Sequence, residues 1–237
     1  MKRFSKDELS TIGNLAEKGA SLREISSQVG RSKSAVQYHV AKARGKRSRE
    51  KALLVEKLAQ TELGWLVGFY AGDGSRYFRR DGYSYEVKFS SNEKEYPIVK
   101  FVETLLCKCG LKTRRAIEGK RVYVRCQSER FYKFVEMYLV WEGTRKSKSV
   151  RLADLNSYSD DFLFSFLCGL IDADGETKRL YISTASERMA NDIVKICGIL
   201  GIDSKKYAYD VYHLYLRKPD FRKACEKYSF SSLKHRS

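Results

Sequence analysis

The sequence contains no apolar run long enough to span a bilayer, and its start, Met1-Lys2-Arg3-Phe4, lacks the apolar stretch of a signal peptide. A membrane-spanning protein is thereby excluded, and a cytoplasmic location is expected. Zinc-finger spacing is also missing, because the cysteines at 107, 109, 126, 168, 197 and 225 are scattered and Cys107-Lys108-Cys109 has no matching Cys or His pair. Several of these cysteines fall within apolar helix patterns, so they are expected to be reduced and mostly buried, with no disulfide and no zinc. Acidic residues are the minority, 29 against 46 Lys and Arg, for a formal net charge of +17. A polyanionic partner follows, with nucleic acid as the default. Sixteen Tyr and twelve Phe interleave with the basic residues in strand-like runs, which suits groove and phosphate contact. At 237 residues the chain can bury a substantial core and can hold one small module plus one larger domain.

One segment occurs twice. Leu167-Cys168-Gly169-Leu170-Ile171-Asp172-Ala173-Asp174-Gly175 has a looser copy, Leu66-Val67-Gly68-Phe69-Tyr70-Ala71-Gly72-Asp73-Gly74, roughly a hundred positions earlier. Each reads as the last turns of a buried helix, preceded by apolar residues (Leu63 and Trp65; Phe162, Phe164 and Phe166) and closed by a glycine placed for a left-handed cap. The acid before that glycine stands where the helix dipole is negative, so its charge is disfavoured unless a cation or donor compensates. The same placement made twice argues for a bound metal. Small residues recur every fourth position, at Gly64, Gly68 and Gly72 and at Ser165, Gly169 and Ala173, leaving a smooth stripe on each helix. Two such stripes can pack closely enough to bring Asp73 and Asp174 together.

The second copy resembles the signature of the LAGLIDADG homing endonucleases at every position but Cys168; the first keeps the penultimate acid. The likeness extends beyond the motifs. Gly110-Leu111-Lys112-Thr113-Arg114-Arg115 recurs as Gly201-Ile202-Asp203-Ser204-Lys205-Lys206, and Phe131, Lys133, Glu136 and Tyr138 recur as Phe221, Lys223, Glu226 and Tyr228. The spacing between matching segments shortens by about ten residues after the motif, so the second half has a trimmed first hairpin. Tyr77 to Ser90 is a full hairpin turning at Asp81-Gly82, whereas Thr177 to Thr184 has room only for a short one. The expected fold is α+β, two pseudo-symmetric αββαββα repeats forming a DNA-binding β-saddle, preceded by a three-helix helix-turn-helix domain. The expected divisions are 1–45 for that domain, 46–60 for a basic linker and short helix (Glu50 to Gln60), 61–141 for the first repeat, 142–159 for the connection, 160–230 for the second repeat and 231–237 for a tail.

In the first division, helix patterns at Lys6 to Lys18, Ser21 to Gln28 and Ser32 to Arg44 are separated by Gly19 and Gly30. The stretch from Gly19 to Val36 resembles the helix-turn-helix of resolvase-like and transposase-like DNA-binding domains. Ser32 is placed to cap the recognition helix, which would present Lys33, Ser34, Gln37 and Tyr38 to a major groove. Arg47, in the basic run Gly45 to Arg49, is expected to follow phosphate.

In the repeats, strand alternation separates core from ligand face. Val122 and Val124 point inward and Arg121, Tyr123 and Arg125 outward; Tyr212, Leu214 and Leu216 point inward and Val211, His213, Tyr215 and Arg217 outward. Tyr77, Arg79, Glu86 and Lys88 join the outer face from the first hairpin, and Arg114 and Lys205 from the second. Such a basic, aromatic sheet can lie in a major groove.

Phosphodiester hydrolysis needs an activated water, charge neutralisation and leaving-group stabilisation, which divalent ions held by carboxylates supply. Magnesium, or manganese in its place, takes oxygen ligands and keeps several waters, so one carboxylate per half, phosphate oxygens and the carbonyls of Gly72 and Ala173 would suffice. The resemblance implies that Asp73 and Asp174 are the catalytic metal ligands, that each half attacks one strand, and that the cut is staggered. It also implies basic or polar residues nearby. The candidates are Ser91 and Thr184, where family members often carry glutamine or lysine, and Lys146 or Lys148 in the connection. Asp172 has no acidic counterpart in the first copy and reads as structural. The expected partner is double-stranded DNA with a long asymmetric site, bound by a monomer that touches no membrane. Two rivals use the same basic fold: a non-cleaving DNA-binding regulator, which retention of both acids opposes, and an intron maturase, whose partner would be intron RNA.

Overall fold

The computed structural model describes residues 4–43, 52–79, 84–143 and 145–234, with the Arg79 side chain left out. Arg47 and the Asp81-Gly82 turn lie outside the described residues. The chain divides into two compact units, Met1–Lys51 and Ala52–Ser237.

The first unit contains α1 (Lys6–Glu17), α2 (Leu22–Val29) and α3 (Lys33–Ala43). α1 and α2 each begin in a reciprocal capping box: Ser5 pairs with Glu8, and Ser21 with Glu24, each serine accepting from the glutamate's backbone N–H while the glutamate accepts from the serine's. Gly30 then ends α2 in the left-handed region at φ 66°, a conformation that costs glycine nothing. Ser32 Oγ accepts from the Ala35 N–H at 3.3 Å, which fixes the start of α3. Ile12, Ala16, Ile25, Val36 and Val40 close a core of their own.

The second unit opens with a 3₁₀ turn at Val55–Lys57 rather than the expected helix from Glu50 to Gln60. The first repeat then runs α4 (Gln60–Asp73), β1 (Gly74–Arg79), β2 (Ser84–Asn92), α5 (Tyr96–Lys108), β3 (Thr113–Glu118), β4 (Arg121–Gln127) and α6 (Glu129–Tyr138). A connection follows, in which β5 (Leu139–Val140) and β6 (Arg151–Leu152) pair around the one-turn α7 (Lys146–Ser149). The second repeat runs α8 (Asp160–Asp174), β7 (Gly175–Glu176), β8 (Tyr181–Thr184), α9 (Glu187–Leu200), β9 (Ser204–Ala208), β10 (Tyr212–Leu216) and α10 (Lys218–Lys227).

The two sheets have the same topology, β1-β2-β4-β3 and β7-β8-β10-β9, all neighbours antiparallel. This is the α+β double repeat, with the second repeat's first hairpin shortened to a two-residue and a four-residue strand. α4 and α8 are apolar on nearly every face because they lie together at the centre of one continuous core. All six cysteines are free thiols; Cys109, Cys126, Cys168 and Cys197 are buried in that core, Cys225 is half-buried and Cys107 is exposed. No helix among the described residues is long and apolar enough to cross a membrane.

The closing glycines of the motifs differ from the expectation. Gly74 and Gly175 are extended, at φ −87° and −99°, rather than left-handed. Their small size is needed for space: a Cβ on Gly74 would strike the Tyr70 ring, and one on Gly175 would lie 2.6 Å from the Ile171 Cα. The chain passes directly from helix into strand and folds back over the last helical turn.

Candidate active site

α4 and α8 meet along their small-residue stripes, main chain against main chain. A Cβ on Gly64 would strike the Ser165 hydroxyl and the Phe162 carbonyl, one on Gly68 the Phe166 carbonyl, and one on Gly169 the Trp65 carbonyl. The seam ends at the two acids: a Cβ on Gly72 would lie 2.7 Å from Asp174 Oδ2. Asp73 and Asp174 therefore occupy one site, one from each repeat.

The electrostatics follow from that crowding. Burial, and then the Asp174 charge, push the Asp73 carboxyl up to about 6, against the pull of Lys234 and Lys146. Burial also raises Asp174, opposed by Lys146 and Lys234. Lys146 is pushed down to about 8 by its own burial, although both acids resist. A raised folded pKa means that the ionised acid weakens the native state above that pKa, and that the penalty fades as pH falls toward the unfolded value. Asp73→Asn accordingly raises the melting temperature in EDTA at pH 7.5, by the equivalent of about 2 kcal/mol. The gain disappears between about pH 6 and pH 4, where the wild-type acid protonates. Thermal melts of both proteins across that range check this; a variant less stable at pH 7.5 would contradict it.

Two lysines reach the helix ends. Lys146 Nζ donates to the carbonyls of Tyr70 (2.5 Å), Gly74 (2.6 Å) and Gly72 (3.1 Å). Lys234 Nζ lies 3.0 Å from Glu95 Oε1 and 3.4 Å from the Ala173 carbonyl. Lys148, the other candidate from the connection, points to solvent instead, because the single turn of α7 cannot aim both side chains inward. Lys234 escaped the sequence reading because it lies beyond α10, in what reads as a tail. The available signal was the repeat itself: a lysine follows shortly after each of the matching positions Tyr138 and Tyr228.

The carbonyls of Gly72 and Ala173, expected as metal ligands, each meet one of these ammonium groups, at 3.1 and 3.4 Å. The last carbonyls of a helix have no intrahelical partner, and a lysine satisfies them. Among the described residues no cluster of three or more His, Cys, Asp or Glu side chains that could hold a metal ion is present. The two neighbouring carboxylates, whose raised pKa values reflect burial that the lysines do not fully offset, offer oxygen atoms of the kind a hard divalent cation takes together with water and phosphate.

Ser91 and Thr184 are displaced by one residue of register. In β2, Val87, Phe89 and Ser91 face the core, and Ser91 Oγ donates to Glu95 Oε2 at 2.7 Å. Ser90 takes the outer position and donates to the Asp73 carbonyl at 3.0 Å, with Asp73 Oδ1 at 3.5 Å. In β8, Thr184 shares the face of buried Ile182 and accepts from the Ser186 N–H, whereas Ser183 faces outward and meets His213 Nδ1 at 3.0 Å. Side chains alternate with period two, so a one-residue error moves a group to the opposite face.

The outer face of the first sheet is charged. Lys88 pairs across strands with Arg125, which pairs with Arg114, and Glu86 stands opposite Tyr77, itself 62% exposed. Arg121 is exposed beside Glu118, whose carboxylate accepts from Arg125 at 2.6 Å. Tyr123 faces the same way but is only 9% exposed, because the Lys88 ammonium covers its ring at 4.0 Å. Arg79 is placed on β1 by its backbone. The second sheet's outer face is aromatic: Tyr181, Tyr207, His213 and Tyr215 lie ring to ring, Lys205 stands opposite Tyr215, and exposed Arg217 follows the strand. In the separate N-terminal unit, Lys33, Ser34, Gln37 and Tyr38 are all exposed on α3 while Val36 and Val40 are buried.

A two-repeat α+β chain with one acid at the end of each central helix defines a class. Residues 161–227 match the family model of the LAGLIDADG-like domain. The chain has the fold of the homing endonuclease I-DmoI. It is similar to an I-DmoI variant in complex with its target DNA in the presence of manganese, at 18% identity and a TM-score of 0.58, over 73% of this chain and 96% of that one. Mesophilic variants of I-DmoI align at 19% identity and TM-score 0.55, covering 71% and 88% of the two chains. I-DmoI in complex with DNA and calcium aligns at 18% and 0.54, over 71% and 88%. No curated protein sequence matches the chain significantly.

Proposed function

We propose that this chain is a site-specific double-strand DNA endonuclease of the homing type, acting as a monomer with Mg²⁺ or Mn²⁺. The observation that carries this reading is the convergence of Asp73 and Asp174, one per repeat, at the seam between α4 and α8. Divalent ions bound there supply the activated water and offset the negative charge that builds on the phosphate. Asp73 and Asp174 hold them. Lys146 and Lys234 bring positive charge beside the acids, and Ser90 ties the end of α4 to β2. The outer faces of the sheets bind the duplex: Lys88, Arg114, Arg121 and Arg125 neutralise phosphate and read base edges in one half-site, and Lys205, Tyr207, His213, Tyr215 and Arg217 contact the other. One polypeptide holds both repeats, so the target is pseudo-palindromic and long, with unequal halves. I-DmoI, solved with its target DNA and with manganese or calcium, supports the substrate and the need for a divalent ion.

The decisive experiment incubates purified protein and Mg²⁺ with DNA that joins the sequences flanking its gene. Cutting of both strands is expected. Binding without cutting in any divalent metal would favour a regulator, and faster intron splicing that survives loss of both acids would favour a maturase.

The N-terminal unit extends the footprint on one flank, with α3 as the recognition helix: Gln37 can read adenine, and Lys33 guanine or phosphate. Deleting residues 1–45 is expected to weaken target binding by roughly tenfold to a hundredfold and to flatten its salt dependence, while the cut position stays the same. Binding titrations at several salt concentrations, with mapping of the cut ends, check this; an unchanged salt slope would remove the unit from the interface.

A further inference from the structure

Asp172 is fully buried on the turn of α8 that ends in Asp174. Four donors reach it, two to each oxygen: Oδ2 accepts from Trp65 Nε1 (2.7 Å) and the Leu233 N–H (2.8 Å), and Oδ1 from Ser232 Oγ (2.6 Å) and the Lys234 N–H (2.8 Å). Three of those donors belong to the segment after α10, whose described residues form no helix or strand. Ser232 is itself fully buried and Leu233 packs on the core. At the far end of the Lys234 side chain, Glu95 supplies the second hold: its Oε2 is fixed by Ser91 Oγ at 2.7 Å and the Asn92 N–H at 3.1 Å, leaving Oε1 to meet the ammonium at 3.0 Å. The backbone of the segment is thus bound by an acid of the second repeat and its charge by an acid of the first. A buried carboxylate is expensive unless its hydrogen bonds are complete, as these are, and its use here fixes the path of one short segment.

We propose that Asp172 and Glu95 are positioning residues. Asp172 latches residues 232–234 onto the end of α8, Glu95 aims the Lys234 ammonium, and the latch sets the rate at which one DNA strand is cut relative to the other. The first repeat has no counterpart: Ala71 stands at the matching position, and Lys146 is carried on α7 between two paired strands. The inference rests on the nuclease reading for its rate effect, but the latch itself does not.

The test uses the full chain, with strand-specific nicking rates in Mg²⁺, DNA affinity in EDTA, and hydrogen exchange of the Leu233 and Lys234 amides. Asp172→Asn and Lys234→Gln should slow the same strand by roughly tenfold or more beyond any effect on the other, with affinity within about twofold and partial rescue by Lys234→Arg. Glu95→Gln should act on that strand to a smaller extent. The two amides should exchange slowly in wild type and Lys234→Gln, and fast in Asp172→Asn. Where Asp172→Asn does not fold, Ser232→Ala removes one bond of four and should move both readouts in the same direction. Equal slowing of both strands, or protected amides in Asp172→Asn, would overturn the proposal. If wild type cuts neither strand, the nuclease reading and the rate claim fall together, and the exchange measurement alone decides the latch.

Discussion

Asp73→Asn and Asp174→Asn are each expected to abolish double-strand cleavage, by more than about a thousandfold, while leaving target binding intact. An amide is isosteric with the carboxylate, so the seam is undisturbed, but it offers neutral oxygen and an N–H₂ group where a divalent ion requires charge. The loss follows from having one acid per repeat at a shared site: neither repeat has a second carboxylate to spare at its helix end, since Asp172 is fully engaged by the chain itself and the first copy has Ala71 there. Binding survives because the acids face phosphate with like charge, and removing one lessens that repulsion. Gel assays of supercoiled plasmid with Mg²⁺ and titrations in EDTA separate the two effects. Full cleavage by either variant would remove that acid from the mechanism.

The second large effect is on folding. Gly169→Val is expected to destabilise the protein by roughly 3 kcal/mol or more, and Gly68→Val by a similar amount. The added atoms meet the carbonyls of Trp65 and Phe166, which are main-chain atoms held in helices and cannot rotate aside as a side chain would. α4 and α8 would have to separate, opening the core and pulling the acids apart. Gly198→Ala, within α9 and with nothing near its Cβ, is the control and should be neutral or stabilising by about 0.5–1 kcal/mol. Denaturant melts of the three variants give the comparison. Wild-type stability in Gly169→Val would mean that the helices are not in main-chain contact.

The fold was legible in the sequence because duplication writes each element twice. A small residue at every fourth position on both helices, and matched segments such as Phe131 to Tyr138 and Phe221 to Tyr228, set topology and seam without reference to any loop. What was misplaced depends on finer or longer-range information. The exchange of Ser91 for Ser90 is one step of strand register, fixed by the pairing of β2 with its neighbours and not by local propensity. Gly74 and Gly175 suit a left-handed cap as well as an extended crossing; the choice is made by the Tyr70 ring and the Ile171 backbone beneath them. Tyr123 alternates outward as expected, yet is covered by a lysine on the neighbouring strand, a cross-strand contact absent from any single-strand pattern. Lys234 is held at the end of α8 by two residues distant in sequence, Asp172 on its backbone and Glu95 on its ammonium.

The glycine seam also constrains how such a chain can change over generations. The outer faces of the two sheets differ, charged in one repeat and tyrosine-rich in the other. The seam answers to its mirror image. Ser165 fills the space that Gly64 leaves open, whereas Gly68 and Gly169 face main-chain carbonyls that no substitution on the other helix can shrink. The two motifs accordingly match at the small positions where their helices touch, Gly68 with Gly169 and Gly72 with Ala173, and differ at apolar ones such as Phe69 and Leu170.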